Sequence, residues 1–331
     1  MSAHEVARLA KVSQASISRA FTPGASISKK MRAKVLEAAE KLNYKPNAIA
    51  RGLSARRTRI VALVMGDLAN PFYIDVLNRL CIALQQAGFQ SLLFVLEQGR
   101  TVESILPKMF EYQVDAAIVT AATVTSGVAS ECHRYGLPVI LFNRLASAAP
   151  AHMVAGHDLV SSRMVADYLY EVGHRRFAYV SGHDNTSTSI ERETGFFARM
   201  RELGVTGIRR EEGNYSYEGG YAAGLRLLDA RRRPEAIFCA NDYLALGVMD
   251  AARFGLGLRI PEDVSIVGFD DIPQASWKTY SLTTLRQPLD QMVQATLRIV
   301  EDIEALESSN FVVTRIPGQL VLRGSSLAHR P

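Results

Sequence analysis

The sequence predicts an α/β protein with a helix-turn-helix head at its N-terminus and a larger body of doubly wound parallel sheets in two lobes. Short segments with helix-capping signals fill residues 2–42. From residue 60 onward, apolar runs alternate with amphipathic segments, which is the pattern of parallel strands joined by helices. Positive charge is concentrated in the head, so the two parts of the chain differ in composition as well as in periodicity.

The chain has 331 residues and a formal net charge of +5, which conceals an uneven distribution. Residues 1–59 contain thirteen Lys/Arg and three Asp/Glu, a balance of +10. Residues 60–331 contain twenty-five Lys/Arg and thirty Asp/Glu, a balance of −5. A basic segment on a mildly acidic body is typical of a protein whose smaller part binds a polyanion, and the composition therefore predicts a nucleic-acid-binding head.

Three short helices are predicted in the head. Ser2 and Glu5 have the spacing of a capping box for the first helix, the second helix spans Gln14–Phe21, and Ser28 caps the third. Thr22-Pro23-Gly24 is a strong turn signal. Two helices joined by a tight turn form a helix-turn-helix unit, whose second helix enters the major groove of DNA. Helical spacing predicts that the head buries Val6, Leu9, Ala10, Ile17, Ala20, Phe21, Met31, Val35, Ala39 and Leu42.

In the body, each predicted strand is a short apolar run, as expected for a parallel sheet that is covered on both faces. These runs are Ile60–Met65, Ser91–Leu96, Ala116–Val119, Val139–Phe142, Phe177–Val180, Ala236–Cys239 and Val264–Phe269. Helices are predicted near 73–87, 102–112, 125–135, 158–172, 190–203, 217–229 and 243–254. Glycines in left-handed caps are predicted at 88, 136, 173, 204 and 255. The length of the alternation indicates two subdomains, and such folds bind ligands at the carboxyl ends of their strands.

Several classes of site are not supported by the sequence. Cys81, Cys132 and Cys239 are widely spaced, as in a reduced cytoplasmic protein, and we expect neither a signal peptide nor a membrane span. His183-Asp184 could suggest a catalytic or metal site, but a loop pair is the favoured interpretation because no further ligand or nucleophile is placed beside it. We therefore expect a cytoplasmic protein that is not an enzyme and has no metal and no cofactor.

An ordered set of motifs in the head resembles one known family. Glu5-Val6-Ala7, Val12-Ser13, Ser18-Arg19, Asn43-Tyr44-x-Pro46-Asn47 and Ala50-Arg51-x-Leu53 together are similar to the head of the LacI/GalR family of bacterial transcription repressors. Lys11 departs from that pattern, because the family usually has glycine at this position, and the substitution could alter the turn. The body is similar to the family as well, which implies a two-lobed fold like that of periplasmic binding proteins.

The resemblance implies a role for each exposed residue of the second helix. Gln14 and Ala15 occupy positions that face base edges, where Gln14 can bond to adenine and Ala15 can contact a thymine methyl group. Ser16 and Arg19 lie on the same side, and Arg19 can reach guanine or a phosphate. An ordinary polar surface residue is the alternative for Gln14. Roles in positioning the DNA backbone are implied for Ser13, Ser18, Lys29, Lys30, Arg32 and Tyr44.

Residues 47–54 resemble the hinge helix of the family, which forms on DNA and lies in the minor groove. Leu53 matches the apolar wedge that opens the central base step, and Asn47 and Arg51 would hold the flanking edges and phosphates. A core leucine is the alternative for Leu53, but so short a helix with one large apolar side chain has little core to join. Residues 55–59 follow as a basic linker.

The implied domain boundaries are 1–46 for the head, 47–59 for the hinge and linker, and 60–331 for a domain that binds an effector and dimerises. Within that domain, the N-lobe comprises residues of about 60–156 and 288–318, and the C-lobe about 157–287 and 319–331. The ligand would lie between the lobes. Charged groups and aromatic faces at strand ends suit a polyhydroxylated ligand. The implied ligand-binding residues are Asn70, Phe72, Tyr73, Asn143, Arg144, Arg192, Tyr215, Asn241, Asp270 and Gln287.

Some of these residues have alternative interpretations. Asn241, Asp242 and Asp270 could cap the helices that follow them; capping is favoured for Asp242, and ligand binding is favoured for Asp270. Phe72 could belong to the core of its lobe. Arg144 could recognise a carboxylate or phosphate, pair with Asp270, or point outwards.

The sequence and the resemblance together predict a sequence-specific transcriptional regulator that acts as a repressor and is controlled by a sugar or sugar acid. The resemblance implies a homodimer on a pseudo-palindromic DNA operator. An exported sugar-binding protein would need a signal peptide and would lack the basic head, and a sugar-metabolising enzyme would need a catalytic constellation. Whether the ligand releases or strengthens DNA binding stays open.

Overall fold

The computed structural model describes residues 2–21, 24–45, 57–97, 101–120, 126–146, 149–229, 232–303 and 310–327. The chain divides into an N-terminal unit, Met1–Arg59, and a body, Ile60–Pro331. The predicted hinge, with Asn47, Arg51 and Leu53, lies outside the described residues, so the roles of these three residues stay predictions.

The N-terminal unit contains the three predicted helices, Ala3–Ala10, Gln14–Phe21 and Lys29–Lys41. The capping box is confirmed, because the Ser2 hydroxyl accepts from the Glu5 amide and the Glu5 carboxylate accepts from the Ser2 amide at 2.7 Å. Lys11 ends the first helix in the left-handed conformation, with φ 49° and ψ 50°. The turn that glycine would favour is therefore made by lysine in this chain.

The core of this unit differs in part from the predicted set. Val6, Ala10, Ile17, Ala20, Val35 and Ala39 are buried as predicted, and Ala7 and Ala38 join them. Leu9 and Met31 were predicted to be inside, but they are 48% and 37% exposed. Leu9 is outside because the buried stripe of the first helix follows the spacing i, i+3, i+4 and i+7 from Ala3, which passes through Val6, Ala7 and Ala10.

Within the described residues, the body is built on two six-stranded sheets, which confirms the doubly wound class. The strands are β1 (Ile60–Met65), β2 (Gln90–Val95), β3 (Ala116–Thr120), β4 (Val139–Phe142), β5 (His152–Gly156), β6 (Phe177–Ser181), β7 (Arg209–Glu212), β8 (Ala236–Cys239), β9 (Ser265–Asp270), β10 (Thr283–Arg286), β11 (Val313–Ile316) and β12 (Gln319–Val321). The first sheet has the order β2-β1-β3-β4-β5-β11 and is parallel throughout. The second has the order β7-β6-β8-β9-β10-β12, and its edge strand β12 is antiparallel to β10.

Helices cover the faces of both sheets. Among the described residues they are Pro71–Gln86, Leu106–Glu111 after the 3₁₀ turn Val102–Ile105, Ser126–Arg134, Asp158–Glu171, Ser187–Glu202, Tyr217–Leu228, Asp242–Asp250 continued by the π-helical turn Ala251–Gly255, the 3₁₀ turn Pro273–Ser276, and Leu289–Glu301. None of the helices in the described part of the chain is long and apolar enough to cross a membrane. The predicted left-handed caps are confirmed at Gly88, Gly136, Gly173 and Gly204, but at the fifth helix end the left-handed residue is Gly257 rather than Gly255.

The chain passes between the two sheets three times: after β5, after β10, and between β11 and β12. The central strands are buried along their whole length, and β3 and β4 have no exposed residue. The carboxyl ends of both sets of strands are therefore held in place by buried strands and lie near the crossover segments. The loops that follow these ends carry polar side chains.

Candidate functional site

The second helix of the N-terminal unit presents a polar face that its core holds in place. Ile17 and Ala20 are buried against the other two helices, whereas Gln14, Ala15 and Arg19 are exposed. Their spacing places these three side chains on the outer side of the helix. This is the arrangement that direct readout of base edges requires, and the reading roles themselves stay predictions.

Ser13 and Ser16 form hydrogen bonds with each other at the start of this helix. The Ser13 hydroxyl accepts from the Ser16 amide at 3.3 Å and lies 2.9 Å from the Ser16 hydroxyl. Ser13 thus caps the helix, which sequence inspection did not predict. Ser18 and Lys29 are exposed, and the Tyr44 ring lies edge-on to Phe21 with 6.1 Å between ring centroids.

In the body, a cleft of about 610 Å³ lies among the loops that follow the strands of both sheets. Nine of the ten predicted ligand-binding residues line it: Asn70, Phe72, Tyr73, Asn143, Arg144, Arg192, Tyr215, Asn241 and Asp270. Gln287 does not line this cleft; it is buried behind Asp270, where its Nε2 donates to Asp270 Oδ1 at 2.7 Å. The geometry therefore does not favour a direct contact between Gln287 and a ligand.

Arg192 lies at the base of the cleft with its charge balanced by two carboxylates. Its Nε donates to Asp158 Oδ2 at 2.8 Å, its Nη1 donates to the Ala240 carbonyl at 2.6 Å, and its Nη2 lies 3.3 Å from Asp270 Oδ1. The guanidinium also lies over the Phe269 ring, 3.8 Å from its centroid. Burial alone would lower the pKa of Arg192, but Asp158 and Asp270 raise it above its usual value.

Asp270 joins this network from the end of β9. Burial raises the pKa of Asp270 to about 6, although Arg192 and Gln287 act in the opposite direction. Its backbone has φ 120°, a conformation that side chains rarely adopt. Asn143 and Tyr215 in the same cleft also have positive φ, 57° each. Positive φ at these three residues and at Asn214, which has φ 53° and lines the same cleft, indicates that packing around the site fixes where these side chains lie.

Asp242 does not cap a helix, contrary to the favoured prediction. Asn241 is the cap, because its Oδ1 accepts from the Leu244 amide at 2.9 Å. The Asp242 carboxylate is fully buried and accepts from Thr284 Oγ1 at 2.5 Å and from the Ile272 amide at 2.9 Å, so it ties β10 to the loop after β9. Burial raises the pKa of Asp242 to about 7, and the nearby Asp270 adds to the shift.

Arg144 points into the cleft rather than outwards, and it is not paired with Asp270. It follows β4 of the first sheet, and its Nη1 donates to Thr188 Oγ1, 2.8 Å away, on the helix that follows β6 of the second sheet. The next residue repeats the link, because the Leu145 amide donates to Ser187 Oγ at 3.0 Å. Two hydrogen bonds therefore join the two lobes beside the cleft.

Aromatic rings form part of the cleft wall. Phe72 and Tyr73 are 2% and 7% exposed and lie edge-on to each other, with centroids 5.2 Å apart. Phe72 is thus both core and cleft lining, as the alternative interpretation allowed. Tyr215 packs against the backbone of Gly182, where a Cβ atom would overlap its ring. Glycine at 182 is what lets the tyrosine enter the cleft.

Sequence inspection missed several residues that line the cleft: Asp67, His183, Thr188, Asn214, Ser216, Glu218 and Tyr243. Most follow β6 and β7, and the strand β7, with the sequence Arg-Arg-Glu-Glu, was not recognised because it has no apolar run. The His183 ring faces Asn214 Oδ1 at 3.1 Å, and Asp184 pairs with Arg210. Within the described ranges, no group of three His, Cys, Asp or Glu side chains is arranged to hold a metal ion.

Comparisons with known proteins match both parts of the chain. A profile described as "Bacterial regulatory proteins, lacI family" matches residues 2–47, and one described as "Periplasmic binding protein-like domain" matches residues 166–326. Catabolite control protein A of Priestia megaterium is 29% identical over 334 residues, which cover 98% of each chain.

Two solved structures are similar over nearly the whole chain. The lac repressor dimer bound to operator and the anti-inducer ONPF has a TM-score of 0.87 at 23% identity and covers 99% of both chains, a likeness that shows the fold. The complex of the transcriptional regulator CelR with cellobiose has a TM-score of 0.74 at 27% identity and covers 98% of this chain and 99% of that one. Both similarities extend over the N-terminal unit and the body of this chain.

Proposed function

We propose, since this chain belongs to the LacI family of bacterial regulatory proteins, that it regulates transcription by binding a DNA operator under the control of a small polyhydroxylated ligand. The observation that carries the proposal is the combination of an exposed reading face, Gln14, Ala15 and Arg19, with a polar cleft between two lobes in the same chain. The regulator would act in the bacterial cytoplasm, where its DNA is.

The DNA-binding part of the proposal rests on charge and geometry. The head carries a large excess of Lys/Arg, and phosphate contacts from such residues supply affinity without sequence preference. Base contacts from the second helix would supply the preference, and one helix makes too few of them for useful specificity. We therefore propose a homodimer on two half-sites in inverted orientation, as in the lac repressor dimer bound to operator.

The ligand-binding part rests on the lining of the cleft. Aromatic faces at Phe72, Tyr73 and Tyr215 suit the C–H side of a sugar ring, and Asp270 and Arg192 suit its hydroxyl groups. CelR was solved with cellobiose, which supports a sugar in the corresponding cleft. The groups that line the cleft bind and orient; we propose no catalytic step in it.

Selection of DNA from a random library by the full-length protein tests the proposal. We expect enrichment of a pseudo-palindrome whose two half-sites lie on one face of the duplex, because a two-fold symmetric dimer places its two reading helices there. The variant Arg19→Glu is the matched control, since it reverses a charge on the exposed face without touching the core, and it should enrich nothing. Recovery of unrelated sequences by both proteins would show that the head does not read DNA.

A further inference from the structure

One cation in the cleft has no counter-ion among the residues that the structure describes. Arg144 is half-buried, and no carboxylate of the described residues lies within 4.0 Å of its guanidinium. Its one hydrogen bond to a described side chain goes to the neutral hydroxyl of Thr188. A guanidinium stays charged at any physiological pH, and partial burial makes an unbalanced charge costly.

Arg192 differs from Arg144 in this respect. Asp158 and Asp270 neutralise its charge, and Nε, Nη1 and Nη2 each already face an oxygen. The charge of Arg192 and most of its hydrogen-bond donors are therefore already used within the protein, so an anionic ligand would gain little from binding to it. Arg144 keeps its positive charge and most of its N–H donors for whatever enters the cleft.

The surroundings of Arg144 strengthen the positive potential. Thr188 is in the first turn of the sixteen-residue helix Ser187–Glu202, where the partial positive charge of a helix is located. Of the other cleft carboxylates, Asp67 accepts from the Ala69 amide and Glu218 is exposed to water, which screens it.

Two buried side chains indicate that the same cleft also binds hydroxyl groups of a ligand. Asn143 and Asn241 are 2% and 1% exposed and line the cleft. Asn143 Oδ1 and Asn241 Nδ2 have no hydrogen-bond partner in the described part of the chain. An acceptor and a donor that are buried without partners indicate a ligand that supplies both, as a polyol does.

We propose that the effector is a polyhydroxylated anion, a sugar acid or sugar phosphate, and that Arg144 binds its negative group. The proposal rests on the proposed function, because it assigns the chemistry of the ligand to the same cleft. The hydroxyl groups face Arg192, Asp270 and Asn241, and the anionic group faces Arg144 beside Thr188. Arg144 is then a specificity-determining residue, which separates acids from the neutral sugars of the same shape.

Matched ligands test this with the full-length protein. Thermal shift and then titration calorimetry would compare D-glucose with D-gluconate, D-glucuronate and D-glucose 6-phosphate, and D-galactose with D-galacturonate and D-galactose 6-phosphate. We expect an anion to stabilise the protein and to bind at least tenfold more tightly than its neutral counterpart, since charge-assisted bonds to a partly buried guanidinium are strong. The carboxylate and phosphate arms distinguish the two sources of the charge.

Variants connect the result to the residue. Arg144→Gln should lose roughly tenfold to hundredfold of the affinity for the anion, down to the level of the neutral sugar. Arg144→Lys, which keeps the charge but not the planar fork, should retain part of it. Arg259→Gln is the control, because Arg259 is an exposed arginine paired with Asp263 on the surface. Circular dichroism without sugar checks that each variant is folded.

The outcomes separate the inference from the proposed function. A neutral sugar that stabilises as well as its acid, stabilisation by none of the anions, or equal affinity of Arg144→Gln and the unaltered protein would each overturn the anionic effector. Selection of a pseudo-palindromic operator would in those cases leave the proposed function intact. If no operator is selected, the proposed function fails whatever the sugars show.

Discussion

At the scale of the residue, the most unusual feature is the density of buried carboxyl groups at the base of the cleft. Asp158, Asp242 and Asp270 are each at most 5% exposed, and Arg192 lies between the first and the third. One cation balances part of this charge, and burial raises the pKa values of Asp242 and Asp270 toward neutrality. These two carboxyl groups therefore bind a proton more readily than an exposed aspartate does.

The first prediction concerns the stability of Asp242→Asn. A carboxyl group whose pKa is 3.8 when unfolded and about 7 when folded binds more protons in the folded state between these values, so it contributes stability that is lost as pH rises. Asparagine keeps a bond to the Ile272 amide and has no charge to bury. Relative to the unaltered protein, Asp242→Asn should gain up to about 2 kcal/mol in unfolding free energy between pH 5 and pH 7.

Urea unfolding at several pH values measures this difference. Burial lowers the pKa values of His152 and His174, which makes stability rise with pH. Both histidines are present in Asp242→Asn and in the unaltered protein, so their effect cancels in the difference between the two. Asp302→Asn, at an exposed position, is the control and should show a constant offset. A constant offset for Asp242→Asn as well would contradict the prediction.

The second prediction separates reading from positioning in the head. Gln14→Ala should relax base preference at one position in each half-site, at roughly 1–3 kcal/mol for a lost bidentate contact. Lys29→Ala should weaken binding to all sequences alike and reduce the salt dependence, because a phosphate contact carries no sequence information. Fluorescence anisotropy on a panel of operator variants at several salt concentrations distinguishes the two. The same uniform loss in both variants would refute the division.

At the scale of the element, the predicted hinge, residues 47–54, is the segment that we expect to link DNA binding to ligand binding. Leu53→Ala should weaken operator binding and leave the ligand affinity of the free protein unchanged, because the predicted wedge acts only on DNA. An eight-residue segment is too short to be a stable helix alone, so DNA must supply the missing stability. Leu322→Ala, at an exposed leucine of the body, is the matched control. Equal operator affinity for both variants would contradict the role of Leu53 as a wedge in DNA.

The response to ligand is tested at Asp270. We choose the conservative variant Asp270→Asn because Asp270 also balances Arg192 and receives a hydrogen bond from Gln287. Asparagine keeps the shape and the acceptor while removing the charge. We expect the variant to lose the effect of ligand on operator affinity, a coupling that is commonly about 1–3 kcal/mol.

Strands that are continuous apolar runs were predictable from sequence, the edge strand β2 among them, whereas β5, β7, β10, β11 and β12 were not predicted. β1, β4 and β8 have the predicted bounds, because buried central strands are continuous apolar runs. β7 and β12 are edge strands with exposed polar residues, and neither has such a run. The helix Leu289–Glu301 was also missed; it begins after Pro288 without a side-chain cap, so the usual start signal is absent.

Prediction of the candidate site depended on the same strands. Residues at the ends of predicted strands, such as Asn143, Asn241 and Asp270, were found because a strand pointed to them. Thr188 and Asn214 follow β6 and β7 at a distance that periodicity does not fix. Asp158 was also overlooked, since its role depends on Arg192, which is far away in sequence and meets it only in the folded body.

At the scale of the whole molecule, we expect a homodimer. The helix Pro71–Gln86 exposes Ile74 and Ile82, which are 48% and 47% exposed and lie two turns apart on one face. The family resemblance implies a dimer contact on the lobes that includes this helix. Ile82→Glu should shift the protein to a monomer in sedimentation velocity at micromolar concentration, whereas Ile190→Glu, at an equally exposed isoleucine elsewhere, should not. A stable monomer of the unaltered chain, or a tetramer, would contradict this.

The two hydrogen bonds between the lobes, from Arg144 to Thr188 and from Leu145 to Ser187, have a consequence for timing. A ligand that enters or leaves through separation of the lobes requires both bonds to break, and each contributes about 1 kcal/mol against that separation. Open molecules are then roughly tenfold rarer or more, so binding and release of ligand slow together. We expect these two bonds, together with the ion pair between Arg315 and Glu191, to set how quickly the cleft exchanges its ligand.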